Sequence, residues 1–209
     1  MRYPNGKVYQ APQQKSPKKT TPVRYGKRGM HLEEMLNDSN DWYRLNGRAV
    51  IHKKPTPIQV VGVNYPSRAK VRITEAYYRQ ASTTDYNGVY RGYYLDFEAK
   101  QTKQKTRFPL NNFHDHQIQH MTECVKQDGI CFAIILFSEQ NEAYLYPFAM
   151  LKEDWQAYQN KEMASIPYQR IHDGGFAIDL SWHPKLRYLD AVDQYIQTLT
   201  KNKGSERCE

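Results

Sequence analysis

Asp85 and the segment Glu98-Ala99-Lys100 supply two carboxylates and an ammonium at a spacing that a short β-hairpin can bring together. Such a set suits a hard divalent cation, because Mg²⁺ takes one or two carboxylates and leaves the rest of its octahedron to water and phosphate. The chemistry that follows is metal-assisted phosphodiester hydrolysis, with a metal-activated water and a neutralised phosphate, and with Lys100 orienting the water or stabilising the pentacoordinate state. Residues 93–100 alternate with period two, so Tyr94, Asp96, Glu98 and Lys100 share one side of a strand while Leu95, Phe97 and Ala99 point into a core. Asp96 on the side of Glu98 could replace it as a ligand or bind a neighbouring lysine. Upstream, Asn87-Gly88 is a turn signal and Arg91-Gly92 a second break, which would fold the chain back and set Asp85 beside Glu98. Roughly two acid-x-Lys triplets arise by chance at this charge density. The bland alternative is therefore a surface Glu–Lys pair on an exposed strand.

The elements that must position these groups are legible in outline. Residues 30–46 carry Leu32, Met35, Leu36, Trp42 and Tyr43 on a broken helical stripe that ends near Gly47, with Glu33 and Glu34 as candidate carboxylates behind the metal ligands. Ala49-Val50-Ile51 starts a strand that Pro55 and Pro57 must stop or bend. Residues 58–63 and 70–78 read as a hairpin around Asn64-Tyr65-Pro66, with Arg48, Lys53, Lys54, Arg68, Lys70, Arg72 and Arg79 set against the single acid Glu75. A hairpin that basic belongs outside the core, where its cations could meet phosphates and Tyr65, Tyr77 and Tyr78 could stack on bases; the bland alternative is a charged hairpin that merely solvates a sheet edge, with the tyrosines packed on each other. After the acids, Lys103, Lys105 and Arg107 extend the positive surface, and Asn111 or Asn112 is placed to cap a helix running through Met121. His114, His116 and His120 lie there, but no Glu makes an H-E-x-x-H pattern and no cysteine pair is near, so zinc is not expected. Ile130 to Phe137 is a continuous apolar run, a central strand covered on both faces, with 143–146 as its neighbour. Leu186, Leu189, Val192, Ile196 and Leu199 keep a helical stripe opened by Pro184. The sum is an α/β core with a mixed sheet.

Charge points to nucleic acid. Residues 1–28 hold Arg2, Lys7, Lys15, Lys18, Lys19, Arg24, Lys27 and Arg28 and no acid, so this arm carries the whole formal +8 while the other 22 basic and 22 acidic residues cancel. Poor in aliphatics, the arm is expected to be disordered when free and to fold onto phosphate, with Arg24 and Arg28 among its DNA contacts. Residues 29–200 read as one domain and 201–209 as a frayed tail. With 209 residues, 39% hydrophobic and 13% aromatic, the chain can bury a substantial core. No stretch approaches a membrane span and no apolar signal core opens the chain, so a cytoplasmic protein is expected, with Cys124, Cys131 and Cys208 as reduced thiols.

Seven segments, in order and with matching gaps, resemble one known family. They are Tyr3-Pro4-Asn5-Gly6-Lys7, Arg28-Gly29-Met30, Leu32-Glu33, Ile51-His52-Lys53-Lys54-Pro55-Thr56-Pro57, Ser82-Thr83-Thr84-Asp85-Tyr86-Asn87-Gly88, Asp96-Phe97-Glu98-Ala99-Lys100 and Phe113-His114-Asp115-His116-Gln117. The family is RecU, the Holliday-junction resolvases also called penicillin-binding protein-related factor A, and the resemblance runs to about residue 150. It implies a restriction-endonuclease-like PD-(D/E)xK core with a mixed central sheet, flanking helices and the basic hairpin at about 55–80 as a projecting stalk that enters the junction. It further implies a homodimer that cuts four-way DNA with Mg²⁺, or Mn²⁺ as a substitute, in recombination and repair beside a recombinase or branch-migration motor. Gln117 is a metal-site candidate by this resemblance, and Thr83, on Asp85's side of a strand, is another. The chain departs from the pattern at Gln101, where a second glutamate is common, at Arg107, often serine, and at Lys185-Leu186-Arg187-Tyr188 in place of Arg-x-Asp-Tyr. A twofold dimer would match the substrate, with exposed apolar residues of the first helix or of strands 132–146 as its surface. Two other functions stay open: a metal nuclease of general duplex specificity, and a non-catalytic protein that binds junctions or modulates a recombinase.

Overall fold

The computed structural model describes residues 30–65, 71–78 and 83–205. α1 (Met30–Leu45) buries Leu32, Leu36 and Tyr43 along its stripe, and Gly47 at φ +62° supplies the left-handed residue that ends it. β1 (Val50–Lys53) stops just before the proline pair, which has no N–H to give a ladder. Among the described residues β2 (Ile58–Asn64) and β3 (Arg72–Tyr78) pair only with each other, with a register irregularity at Gly62, and their described side chains are exposed or half-exposed. The described part of the hairpin is thus a two-stranded sheet separate from the main one and open to solvent.

Beyond it the chain runs through β4 (Tyr86–Tyr90), β5 (Tyr93–Thr102), β6 (Arg107–Pro109), a 3₁₀ turn over Leu110–Asn112, α2 (Asp115–Lys126), β7 (Ile130–Phe137) and β8 (Glu142–Pro147). It closes with α3 (Phe148–Gln159), β9 (Ser165–Pro167), α4 (Tyr168–Gly174), β10 (Phe176–Ile178) and α5 (Tyr188–Ser205). The main sheet has the order β1-β4-β5-β7-β8-β10. Its β5–β7 pair is parallel and its other neighbours are antiparallel. A parallel pair needs a crossover, and α2 lies in that connection. One sheet face, with Leu95, Phe97, Phe132 and Ile134, packs with α1 and α5; the other, with Cys131, Ala133, Ile135 and Phe137, packs with α2, α3 and α4. Tyr86, Phe97 and Phe132 stack across three strands at 5.1 and 4.8 Å between ring centroids. The architecture is the expected mixed α/β core, sheet between helices.

Several local expectations change. Asn87 and Gly88 do not turn: they sit inside β4, paired to β1 on one side and β5 on the other. A Cβ on Gly88 would stand 2.1 Å from the Val50 carbonyl oxygen, so this glycine serves close strand approach. The turn is Arg91-Gly92, with φ of 50° and 85°, as a two-residue hairpin with right-handed strand twist requires. α2 starts later than Asn111 or Asn112 would cap it, because Phe113 is drawn extended into the core and His114 becomes the capping residue. Leu186 lies in a bridge with Leu180 ahead of α5, and α5 continues through 201–205, where a frayed tail was expected. α3 was not anticipated, although Phe148, Leu151 and Trp155 keep helical spacing and are buried. β7 and most of β8 are buried within the monomer, which removes strands 132–146 as a dimer surface.

Candidate active site

Three neighbouring strands place one row of groups. Lys53 of β1 faces Tyr86 of β4, and Tyr86 faces Phe97 of β5; carried one residue on, the same register aligns Lys54, Asp85 and Glu98. Two bonds hold the row: the Lys54 N–H donates to the Asp85 carbonyl at 2.7 Å, and the Asp85 N–H donates to Glu98 Oε2 at 3.1 Å.

Glu98 is 1% exposed, on the sheet face covered by α2, and its Oε1 meets Lys100 Nζ at 2.7 Å. The Lys100 ammonium also lies 5.8 Å from the centroid of the Phe113 ring. Burial pushes the Glu98 carboxyl up to about 8; the Lys100 charge opposes this and the Asp85 charge adds to it. A buried acid that resists ionising beside another carboxylate is one that a divalent cation would hold in its charged form. On the opposite, α1 side of the sheet lies a cleft of about 150 Å³ lined by Glu33, Lys53, Asp85, Ala99 and Gln101 among others, which Asp85 reaches and Glu98 does not. Glu33 and Lys53 form an ion pair there, and Gln101 Oε1 is buried without a hydrogen-bond partner among the described residues. Asp85 and Glu98 are hard oxygen donors, and the buried Glu98 carboxylate has only Lys100 and one backbone N–H to support its charge, so the pair fits Mg²⁺.

Asp96, two residues from Glu98 on the same face and 0% exposed, has a different fate. Lys54 Nζ donates to its Oδ2 at 2.7 Å and to Thr84 Oγ1 at 3.0 Å; the Tyr94 hydroxyl donates to Oδ2 at 2.9 Å, and Thr84 donates to Oδ1. His120 Nε2 lies 3.1 Å from Oδ2 and 3.3 Å from Lys54 Nζ. Burial alone would raise the Asp96 carboxyl, but hydrogen bonds from Lys54, Thr84 and His120 hold it below the usual range. Of its two anticipated roles, Asp96 takes the second and binds a lysine.

Residues 27–194 match the family model described as Recombination protein U. The chain belongs to the RecU family. The proteins named Holliday junction resolvase RecU from Levilactobacillus brevis and Staphylococcus epidermidis are 54% and 50% identical to it over 198 and 200 residues. Each alignment spans 94% of this chain, and 98% and 96% of the respective relatives. The one from Geobacillus kaustophilus is 51% identical over 193 residues, 92% of this chain and 96% of that one. The RecU match thus extends well beyond residue 150, through α4, β10 and the first turns of α5.

Other residues singled out by sequence or by the RecU resemblance land as follows. Thr83 is in a bend ahead of β4, so strand alternation does not place it with Asp85; its hydroxyl donates to the Thr84 carbonyl at 3.3 Å. Gln117 is buried and its Oε1 accepts the His114 N–H at 3.0 Å, the reciprocal bond of a helix-capping box. Among the described residues neither shares a hydrogen bond with Asp85 or Glu98. Lys54 is corrected from a surface phosphate contact to an interior one, with only 16% of its side chain exposed. Strand alternation carried the signal, since adjacent Lys53 and Lys54 must point to opposite faces. Sequence reasoning gives Thr84 and Tyr94 no role at the site and takes His120 for an ordinary polar helix position, yet the three complete the Asp96 network. Lys103, Lys105 and Arg107 are exposed after β5, and Arg72, Tyr65 and Tyr77 are exposed on the hairpin. Arg24, Arg28, Arg68, Lys70 and Arg79 lie outside the described residues. Among the described residues no helix is long and apolar enough to cross a membrane.

Proposed function

We propose that this protein is a structure-selective DNA endonuclease that resolves four-way junctions by paired symmetric nicks in recombination and repair. The single observation that carries the reading is the row in which buried Glu98 meets both the Asp85 backbone and the Lys100 ammonium, at the base of an exposed hairpin. The relatives' name, Holliday junction resolvase, supports the substrate. Asp85 and Glu98 would hold Mg²⁺, or Mn²⁺ in its place, supplying a Lewis acid for the scissile phosphate and an acidified water. Lys100, already seated on Glu98, is placed to orient that water and to stabilise charge as the phosphorus gains its fifth oxygen. Ala133, on the neighbouring strand at Glu98's level, keeps the space beside the carboxylate small and apolar, which strengthens these electrostatic contacts. Lys103, Lys105 and Arg107 offer cations to the backbone, and Arg72, Tyr65 and Tyr77 on the hairpin offer charge and rings to the open centre of a junction. The arm 1–28 adds sequence-independent attraction. A chain with one such site needs a second copy for two opposed cuts, so a twofold homodimer is the acting species.

The test is cleavage of a synthetic immobile junction and of a matched linear duplex, in Mg²⁺ and in Ca²⁺. Paired symmetric nicks on the junction in Mg²⁺ alone, reduced by about 10³-fold or more in Asp85→Ala and Lys100→Ala while binding persists, are the expected result. Equal cutting of linear duplex would replace this reading with a general nuclease, and tight junction binding without cleavage would leave a recombination scaffold.

A further inference from the structure

The strand-to-helix contact behind the nuclease row holds a second set of donors, of a different chemical kind. A carboxylate oxygen of Asp96, an imidazole nitrogen of His120 and Cys124 Sγ all lie within 4.8 Å of one another. His120 and Cys124 are four apart on α2, so they share a helix face, and β5 brings the carboxylate to them. The oxygen–nitrogen separation is 3.1 Å and the nitrogen–sulfur separation 3.6 Å. Around a tetrahedral ion with Zn–O and Zn–N near 2.0–2.1 Å and Zn–S near 2.3 Å, those edges come to roughly 3.3 and 3.6 Å. Two of the three edges therefore match the spacing zinc requires, and the third lies within 4.8 Å, on a backbone already held by β5 and α2.

A cation occupies this spot now. The Lys54 ammonium sits 2.7 Å from Asp96 Oδ2 and 3.3 Å from His120 Nε2, against two of the three donors. We propose that Asp96, His120 and Cys124 form a Zn²⁺-class site, separate from Asp85 and Glu98, which takes up the metal by exchanging it for the Lys54 ammonium. The exchange balances: Cys124 releases its thiol proton to solvent, Lys54 swings outward still protonated, and the buried cluster stays neutral. Asp⁻ with Lys⁺ and a thiol becomes Asp⁻ with a thiolate and Zn²⁺. Thr84 and Tyr94 keep their hydrogen bonds to Asp96 and orient it, as outer partners of metal ligands do. Water closes the fourth position. The soft sulfur selects against Mg²⁺, so the two sites sort metals by donor type.

The exchange has a consequence that rests on the nuclease reading, although the site itself does not. Lys54 ties the Asp85 carbonyl through its backbone and Thr84 through its side chain, so drawing its ammonium away loosens the segment that presents Asp85. Zinc at this site would then inhibit cleavage.

The test is optical and needs no DNA. The full-length protein is titrated with Co²⁺ in excess Mg²⁺, which occupies the all-oxygen site. A thiolate-to-cobalt charge-transfer band with the strong visible absorption of four-coordinate Co²⁺, bleached by added Zn²⁺, is expected in the parent and in Cys208→Ala. Outer-partner substitutions cost metal affinity about 10–100-fold, so losing a ligand in Cys124→Ser or His120→Ala should weaken binding by more than about 100-fold and abolish the band. Lys54→Met, with no ammonium to displace, should bind roughly tenfold tighter or better. No thiolate band in the parent, a band that survives Cys124→Ser, or one that disappears in Cys208→Ala would each overturn the site. Unchanged affinity in Lys54→Met would overturn the exchange. Should that variant fail to fold, Cys124→Ser still decides the site.

Discussion

Asp96 and Glu98 sit two residues apart on the same strand, face the same helix layer and are equally buried, yet their acidities move in opposite directions. Asp96 accepts from Lys54, Thr84 and Tyr94 and touches His120, and it stays ionised in the dry interior. Glu98 has Lys100 and one backbone N–H, with the charge of Asp85 beside it, and burial prevails. Depth alone does not decide whether a buried carboxylate keeps its charge. What decides it is how many hydrogen-bond donors reach it.

The largest effect expected from this contrast is on stability. Asp96→Ala strands the Lys54 ammonium against Thr84 and His120 and should cost about 3–5 kcal/mol in urea unfolding, whereas Glu98→Gln without metal should stay within about 1 kcal/mol of the parent. Equal losses would mean that the two acids are not in different states. Next comes the pH dependence of metal binding. In the metal-free fold Glu98 keeps its proton up to about 8 against an ordinary 4.5, so its share of stability is complete below 4.5 and is lost as pH rises through 8. Mg²⁺ must expel that proton, and its apparent affinity should rise by about tenfold per pH unit below about pH 8 and then level off. Calorimetric titration from pH 6 to 9 would read this at roughly unit intervals, and a flat profile would remove Glu98 as a ligand that loses a proton on binding. The smallest effect belongs to the hairpin. Arg72→Gln should weaken junction binding less than about tenfold and lower the slope of log affinity against log salt by about one, if its guanidinium contacts one phosphate. An unchanged slope would take Arg72 off the DNA.

Much of this was legible in order and type. The period-two pattern of 93–100 correctly placed Asp96, Glu98 and Lys100 on one side and Leu95 and Phe97 on the other, and the apolar run 130–137 emerged as the doubly covered strand β7. The turn was misplaced because Asn-Gly is a turn signal only when nothing else needs a glycine; β1 approaches Gly88 too closely for any side chain. His120 and Cys124 looked ordinary because their third partner, Asp96, comes from a strand 24 residues from His120.

By itself, then, the sequence determined the facing of each strand, the concentration of positive charge in the arm and hairpin, and the pair Asp85 and Glu98 with Lys100. Those are properties of single segments, reaching no further than one hairpin or one terminal arm. The tertiary structure alone decided that the polar face of β5 is roofed by α2 and that Lys54 turns inward to Asp96, leaving Glu98 underprovided with donors. Desolvation and hydrogen-bond supply depend on which distant element covers a group, and no local periodicity carries that information.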